Sequence, residues 1–521
     1  MSDSLPSSAR PRPRGVLSVL GPGILVAATG VGAGDLATAG LAGSNLGLAI
    51  AWAALFGAIL KYILSENLAR WQIGTGETVL AGAIRHLGWP VHLGFGLYML
   101  PWSVFVGTAI VAGCGVTLHA LMPGVFDDPT TGKICFGAAS SIVGLVLVWT
   151  GGFRLFERVM LVCVGVMVCI TIAAAVLARP DAGDLVRGIF VPTVPGITSA
   201  DPAQARQALE WTIALIGGVG GTLTLIAYSY WMRETGRTNR DDLATCRIDL
   251  AAGYTMTALF GVAMVVVAHR VTVDKTGAGL VISLADTVRD SVAAAFGPAA
   301  GRAGRLVFLL GALAAMFSSL LGVWQVVPVI FGDWWMRRGG RTPARETVDQ
   351  RSWPVRGFMI WIALISLPGL VIPFASVQKW YAIVGAGFVP ALAAVLLLLN
   401  GRARHGMPAE LRNRTGGTLL LAATLVLLGS VAVYDIAGRT GLRGRATPAV
   451  APASPANAAN AANAATPAPV PTEIPAGPTA PADAAAPGPA PGDNVDAPAN
   501  VNPPDRPAED LDPAAGSESA P

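Results

Sequence analysis

The chain has 521 residues, of which 53% are hydrophobic and only 13% are charged. Soluble globular proteins carry about 25% charged residues, so this composition excludes an ordinary soluble domain and indicates an integral membrane protein. The formal net charge of +4 is unevenly distributed, because residues 446–521 hold nine acidic residues and one Arg. The remainder has 35 basic and 23 acidic residues. This excess is typical of the cytoplasmic face of a membrane protein and requires no nucleic-acid partner.

Eleven apolar runs approach or exceed the length of about 20 residues that a helix needs to cross the hydrocarbon core. The eighth run is the longest, so we expect it to tilt or to project beyond the bilayer. The predicted spans lie at about 16–40, 46–68, 92–120, 134–151, 156–178, 205–231, 245–268, 304–335, 357–374, 378–399 and 417–434.

Basic clusters lie before the first predicted span and after the fourth, sixth, eighth and tenth, which is one side of the membrane if the spans alternate. The positive-inside rule therefore predicts that residues 1–15 form a cytoplasmic N-terminus. The apolar run that follows is too long for a cleavable signal peptide. With eleven spans the C-terminus is exoplasmic, and we expect a multi-pass protein of the plasma or inner membrane.

The first span is interrupted at residues 29–35, which read Thr-Gly-Val-Gly-Ala-Gly-Asp. Unwound backbone at membrane depth is tolerated only where it lines a polar cavity or is buried in protein. A carboxylate at that depth by default marks an ion path or a paired charge. We therefore predict that Gly32 and Asp35 contribute to a cation site, with Asp35 as the metal ligand. Alternatively, Asp35 caps the second half of a broken helix, and the two roles can coexist.

The second span carries two charged residues, Lys61 and Glu66, near its predicted cytoplasmic end. Snorkelling to the interface or a local ion pair accounts for both side chains. A role of Glu66 in ion coupling or in the transport pathway is the alternative.

The sixth span contains a second glycine-rich interruption at residues 217–222, Gly-Gly-Val-Gly-Gly-Thr. We predict that the freed carbonyls of Gly217 and Gly220 and the hydroxyl of Thr222 line the same cavity. Close helix packing through small residues is the alternative. Glu210, early in this span, is predicted to line an outer vestibule or to lie at headgroup level. Two interrupted spans five apart in order are typical of an inverted-repeat transporter with a site at the midplane.

The composition changes from about residue 441, where Ala, Pro, Asn and Gly replace large apolar residues. Such a segment cannot bury enough surface to offset its chain entropy. The sequence therefore predicts a transporter domain at 16–435 and a disordered exoplasmic tail at 441–521.

Several function classes lack their motifs in this sequence. It has no Gly-x-x-x-x-Gly-Lys-Ser/Thr loop for ATP and no Ser/His/Asp constellation for an intramembrane enzyme. The five cysteines show no zinc-site spacing and are expected to pack as small apolar residues. We expect no cofactor and no protein partner, only the lipid bilayer and a transported metal ion or small solute.

Motifs in order along residues 15–435 resemble the Nramp family of divalent-metal transporters. Residues 21–26 (Gly-Pro-Gly-Ile-Leu-Val) resemble its opening segment, and residues 35–38 (Asp-Leu-Ala-Thr) its first-span continuation. The dipeptides Ala-Arg at 69–70 and Thr-Gly at 75–76 resemble the end of its second span. Residues 152–158 resemble the entry to its fifth span. The resemblance implies a LeuT-type fold of two inverted five-helix repeats plus one span. It also implies import of ions such as manganese or iron, usually coupled to protons.

The chain departs from the family pattern at the site itself. The family motif Asp-Pro-Gly-Asn matches residues 32–35, which read Gly-Ala-Gly-Asp, so Asp35 stands where the family has Asn. The motif Met-Pro-His matches residues 220–222, Gly-Gly-Thr, so the soft sulfur ligand is missing. Neutral residues also stand in the third span where the family has acidic ones: Trp102, Phe105 and Gly107.

The leading hypothesis is therefore a secondary transporter of a divalent metal cation that works by alternating access. In this hypothesis Asp35 and the broken-helix carbonyls form the midplane site. The alternative is a carrier of a small organic solute such as an amino acid, because half-helix N-termini attract a substrate carboxylate. A sensor or scaffold is disfavoured because no soluble signalling domain is present.

Overall fold

The computed structural model describes residues 21–271, 279–338, 348–401 and 406–439. The chain divides into two units, Met1–Arg445 and Ala446–Pro521, and every described residue lies in the first. The predictions for the N-terminus at 1–15 and for the tail at 441–521 therefore fall outside the described residues.

The described residues are almost entirely helical, with no β-strand among them. Nine of their helices are long and apolar enough to cross a membrane, and a bent helix pair at the start makes a tenth. A further helix, Thr415–Arg439, with a short apolar stretch at Thr415–Ser430, lies where the eleventh span is predicted. The first ten spans are Pro22–Gly30 with Gly34–Leu46, Leu48–Thr75, Trp89–Leu121, Pro129–Gly151, Phe153–Leu177, Pro202–Glu234, Asp242–Ala268, Pro298–Met336, Trp353–Val371 and Phe374–Gly401. Connecting helices are Val79–Leu87, Ala182–Phe190 and Leu280–Phe296.

Spans four and five form one hydrogen-bonded helix, Pro129–Leu177, with a sharp bend between them. Gly144 of span four packs against Leu320 of span eight, and Ile170 of span five packs against Gly311 of the same span. A straight helix would separate residues 144 and 170 by about 39 Å, but residues 311 and 320 by only about 14 Å. The chain therefore bends sharply where the sequence predicts the boundary between two spans.

Spans four and five present large apolar side chains to the outside. Such a face is unusual for a soluble protein and typical of one that contacts lipid. The exposed residues include Ile142, Val143, Val146, Val162, Val166 and Val176.

The interruption of the first span is a bend and a widened helix. An α-helix at Pro22–Gly30 passes into a π-helix at Val31–Ala39 and then into an α-helix at Gly40–Leu46. The two ends of the span differ in direction by 44°. Unlike the unwound segment expected from the sequence, a π-helix keeps its backbone groups paired through i→i+5 hydrogen bonds.

The sixth span is broken, as its glycines predict. The helix Pro202–Gly218 ends before a short 3₁₀ turn at Leu223–Ile226, and a second helix follows at Ala227–Glu234. Between them Gly220 and Gly221 have φ angles of +73° and +89°. Residues with a Cβ rarely adopt this left-handed region, which is why the break needs glycine.

Candidate functional site

The first and sixth spans meet backbone to backbone at the sixth-span break. A Cβ added at Gly30 would lie 2.5 Å from the amide nitrogen of Gly221, and one at Gly34 would overlap the carbonyl oxygen of Gly218. The alternating glycines of the first span therefore allow this contact. Their spacing brings the next residue, Asp35, against the break.

Asp35 joins the two spans through its carboxylate. The side chain is 0% exposed, and Oδ1 accepts a hydrogen bond of 2.9 Å from the amide of Gly220. The other oxygen, Oδ2, is buried without a hydrogen-bond partner. In the cap alternative, Asp35 would bind amides of its own helix, but the amide that it binds belongs to the sixth span. One carboxylate oxygen thus holds the break together, and the other has no hydrogen-bond partner within the protein.

The break leaves two carbonyls without their usual helical partners. In a continuous helix the amides of residues 220 and 221 would bond to the carbonyls of Ile216 and Gly217. Instead, Gly220 donates to Asp35, and Gly221 donates to the carbonyl of Gly218 at 3.2 Å. The carbonyls of Ile216 and Gly217 therefore require other donors.

Lys61 of the second span supplies those donors. Its ammonium lies 2.9 Å from the carbonyl oxygen of Ile216, 3.0 Å from that of Gly217 and 2.5 Å from that of Val219. The side chain is 1% exposed, within the helix Ala51–Thr75. The prediction that Lys61 snorkels to the interface is therefore wrong, because its ammonium is buried at the sixth-span break. The site holds one negative and one positive side chain on the same break.

Thr222 is the polar side chain of the break itself. Its hydroxyl accepts a hydrogen bond of 2.9 Å from the indole nitrogen of Trp102, in the third span, and is fully buried. The phenol of Tyr381, in the tenth span, lies close to the same threonine, and Gly385 packs against its methyl group. Thr222 is thus positioned by the third and tenth spans together.

Two further buried polar side chains lie on the seventh and tenth spans, which pack near the break. The ring of Tyr254, in the seventh span, packs against Gly220, and its hydroxyl hydrogen-bonds with Ser65 at 2.8 Å. Gln378 is fully buried, donates to the carbonyl of Ala109 at 3.0 Å and has an unpartnered Oε1. Gln378 is three residues before Tyr381, so both lie on the face of the tenth span that meets the break.

The two remaining glycines of the predicted site have separate positions. The amide of Gly32 donates to the hydroxyl of Ser319, in the eighth span, at 2.9 Å. Gly217 packs against Ala386 of the tenth span, while its carbonyl accepts from Lys61. Gly217 therefore belongs to the break, whereas Gly32 contacts the eighth span.

Glu66 and Glu210, predicted for coupling or the pathway, both form ion pairs. Glu66 lies 2.6 Å from Arg70 and 2.8 Å from Arg247. Glu210 lies 2.7 Å from Lys379. A part in coupling stays a prediction for both carboxylates.

Sequence reasoning missed Lys61, Tyr254, Gln378 and Tyr381 as parts of the site. For Lys61 a signal was present, because a lone lysine inside an apolar span is a functional candidate by default. The predicted second span, 46–68, ends too early, since the helix continues to Thr75. Because of this error in the span bounds, Lys61 was predicted near one end of the span, although it lies near the middle of the helix.

Residues 23–437 match the family model described as natural resistance-associated macrophage protein-like. The divalent metal cation transporter MntH of Bacillus subtilis is 29% identical over 189 residues, which cover 36% of this chain and 43% of that protein. The MntH of Agrobacterium fabrum is 25% identical over 399 residues, which cover 74% of this chain and 77% of that protein. The chain thus spans less than half of the first relative and about three quarters of the second.

Solved structures share the fold at lower identity. A mutant of the manganese transporter of Eremococcus coleocola superposes with a TM-score of 0.63 and 18% identity, over 84% of this chain and 91% of that one. The transporter MhsT in complex with L-phenylalanine superposes with a TM-score of 0.54 and 20% identity, over 80% and 97% of the two chains. These likenesses confirm the predicted LeuT-type fold, and such identities carry no information on the substrate.

Proposed function

This chain belongs to the natural resistance-associated macrophage protein-like (Nramp) family, and from that premise we propose that it is a secondary transporter of a divalent metal cation. The relatives from Bacillus subtilis and Agrobacterium fabrum are both named divalent metal cation transporters. The broken sixth span and the bent first span supply the midplane site that alternating access requires.

The observation that carries this proposal is the second carboxylate oxygen of Asp35. A buried carboxylate oxygen without a partner is costly, and a bound cation would supply the missing interaction. The neighbouring polar groups are carbonyls and hydroxyls, which suit hard cations such as Mg²⁺ or Mn²⁺ better than soft ones.

The site holds its ion weakly in this proposal. Among the residues that the structure describes, no group of three or more His, Cys, Asp or Glu side chains could hold a metal. Mg²⁺ and similar ions usually keep several waters and bind through only one or two carboxylates. A single carboxylate with neutral oxygens therefore favours a partly hydrated ion that is readily released, as transport requires.

The buried Lys61 favours a second candidate, a small zwitterionic solute such as an amino acid. Asp35 and Lys61 together bring no net charge to the break, and a divalent cation beside an ammonium meets repulsion. An amino acid would place its ammonium on Asp35 and its carboxylate where the positive charge of Lys61 attracts it, since the three N–H donors of that ammonium are taken by backbone carbonyls. In this candidate the same two side chains would recognise both ends of the substrate.

Uptake by purified protein in liposomes separates the two candidates. A divalent-sensitive dye inside the vesicles reports entry of Mg²⁺, Mn²⁺, Ca²⁺ or Zn²⁺, and radiolabelled amino acids are tested in parallel. We expect saturable entry of at least one divalent cation above empty liposomes. Saturable uptake of an amino acid, with no dye response to any of the four ions, would replace the first proposal with the second.

The proposed setting is the plasma or inner membrane, with the N-terminus cytoplasmic and residues 16–435 forming the transporter domain. The apolar outer faces of spans four and five support contact with lipid. The basic clusters that follow the even-numbered spans support the orientation. The transported cation is cargo in this proposal, and no separate cofactor is needed.

A further inference from the structure

Lys61 uses all of its hydrogen-bonding capacity on one piece of backbone. A lysine ammonium has three N–H donors, and three carbonyl oxygens lie within 3.0 Å of it. These carbonyls belong to Ile216, Gly217 and Val219, within the first half of the broken span and at its end. The ammonium therefore has the surroundings of a bound cation rather than those of a side chain that reaches for solvent.

The position attracts positive charge for two reasons. The C-terminal end of a helix carries about half a negative charge, which stabilises a cation beside it. In transporters with broken helices, unwound carbonyls and half-helix C-termini coordinate monovalent ions such as Na⁺. The three carbonyls around Lys61 are thus the groups that such an ion would use.

Asp35 completes the charge balance of this position. A buried charge without a partner is strongly destabilising, particularly within a membrane span. Asp35 is fully buried and binds Gly220, the residue next to Val219, so the two charges are held on neighbouring backbone groups of one break. Removal of the ammonium would leave both the carboxylate and the freed carbonyls uncompensated.

We propose that the Lys61 ammonium occupies a monovalent cation site formed by the carbonyls of Ile216, Gly217 and Val219. The second span thereby supplies, on a covalent tether, a cation that would otherwise have to bind from solution. The native chain needs no free Na⁺ or comparable ion to hold its broken sixth span together. A variant that lacks the side chain has an open site for a small monovalent cation.

The test is rescue of Lys61→Ala by free cations. Thermal unfolding of the purified variant is measured at constant ionic strength in Na⁺, methylammonium or the bulky N-methylglucamine ion. We expect Lys61→Ala to unfold at a lower temperature than wild type. We also expect Na⁺ or methylammonium to raise its unfolding temperature saturably, by about 3 °C or more, since a ligand that binds the native state stabilises it.

A matched control is Lys133→Ala, which also removes a buried lysine. Lys133 is 6% exposed, donates to the carbonyl of Ile372 at 3.1 Å and lies at the start of the fourth span. The unfolding temperature of wild type should not differ among the three salts, and neither should that of Lys133→Ala. The proposal is overturned if Lys61→Ala responds to the small cations no more than Lys133→Ala does.

A second comparison covers the case in which Lys61→Ala does not fold. Lys61→Met keeps most of the side-chain volume and removes the charge, and Asp35→Asn removes the opposite charge. The double variant should unfold at a higher temperature than Lys61→Met, because it leaves no uncompensated charge. The proposal would be overturned by a double variant that is no more stable than Lys61→Met. It would also be overturned if the changes in unfolding temperature caused by the two single substitutions simply add in the double variant.

These measurements are independent of the proposed function, because no divalent cation or amino acid is present. A chain that fails every transport assay could still show cation rescue. A chain that carries divalent cations could equally show none.

Discussion

The carboxylate of Asp249 and the guanidinium of Arg237 form an ion pair at the start of the first span, with side chains only 0% and 4% exposed. Asp249 also accepts hydrogen bonds from the amides of Gly21 at 2.9 Å and of Gly23 at 2.7 Å. The first amides of a helix have no partners within the helix, and a carboxylate beside them is favoured by the helix dipole. The seventh span therefore fixes the beginning of the span that carries Asp35.

Asp249→Asn should lower the stability of the protein. The amide keeps one acceptor for the helix start but removes the negative charge that the Arg237 guanidinium binds, and breaking one half of a buried ion pair costs about 3–5 kcal/mol. Thermal unfolding in detergent measures the effect. Glu410→Gln is the control, because the ion pair of Glu410 with Arg240 is exposed and should contribute little. Equal unfolding temperatures for the two variants would show that the buried pair does not anchor the span.

Asp35→Asn should weaken divalent cation binding without unfolding the break. Asn keeps an acceptor oxygen for the amide of Gly220, but the negative charge on the unpartnered oxygen, Oδ2, is lost. If that oxygen contacts the transported ion, affinity falls more than tenfold, or about 1.4 kcal/mol. Titration of both purified proteins with Mg²⁺, Mn²⁺ and Zn²⁺ checks this. Unchanged affinity for every ion would rule out Asp35 as a ligand and favour the organic-solute candidate.

Lys61→Met should have the opposite effect on the same titration. The ammonium sits on the break that Asp35 binds, so its charge opposes entry of a second cation. We expect divalent affinity to rise by tenfold or more, about 1.4 kcal/mol. Lys133→Met should leave it unchanged. Equal or weaker affinity in a folded Lys61→Met protein would mean that the lysine does not compete with the ion.

Gly34→Ala should disturb the contact between the first and sixth spans. The new methyl group would overlap the carbonyl oxygen of Gly218, which belongs to backbone and cannot rotate away. Overpacking of this kind costs about 1–3 kcal/mol. Gly165→Ala is the control, since a Cβ there meets nothing within 4 Å and alanine favours a helix. A Gly34→Ala protein with wild-type unfolding temperature and uptake would contradict the close contact.

The proposed orientation can be checked by cysteine labelling in intact cells. In a background without Cys135, Cys163 and Cys169, a cysteine at Ala480 should react with an impermeant maleimide, because the tail is proposed to be exoplasmic. A cysteine at Ser4 should react only after the membrane is permeabilised. The reverse labelling pattern would show that the topology is the opposite of the one proposed.

Hydropathy and glycine content predict most of the fold. Long apolar runs identify the spans because the bilayer demands a fixed helix length. The glycines at 220 and 221 predict a break because their backbone angles exclude other residues. The same reasoning fails in the first span, where alternating glycines serve a close helix contact and the backbone stays helical. Glycine content alone does not distinguish these two uses.

The partners of the site residues depend on tertiary structure and could not be read from the sequence. Asp35 was identified because a carboxylate at membrane depth is rare. That its partner is the amide of Gly220, and that Lys61 reaches carbonyls of the same break, depends on how the first and second spans pack on the sixth. Lys61 was missed because the predicted span ended at residue 68, which placed this lysine near one end of the span, where its side chain can snorkel.

The backbone contact between the first and sixth spans also limits how the substrate range could be engineered. Positions 30 and 34 accept no side chain, and changes at 220 and 221 would strain the break. The side chains near the break that can be changed belong to the third and tenth spans. In the proposed site, a library restricted to Trp102, Gln378 and Tyr381 would change neutral side chains of these two spans while Asp35, Lys61 and the glycines of the break stay unchanged.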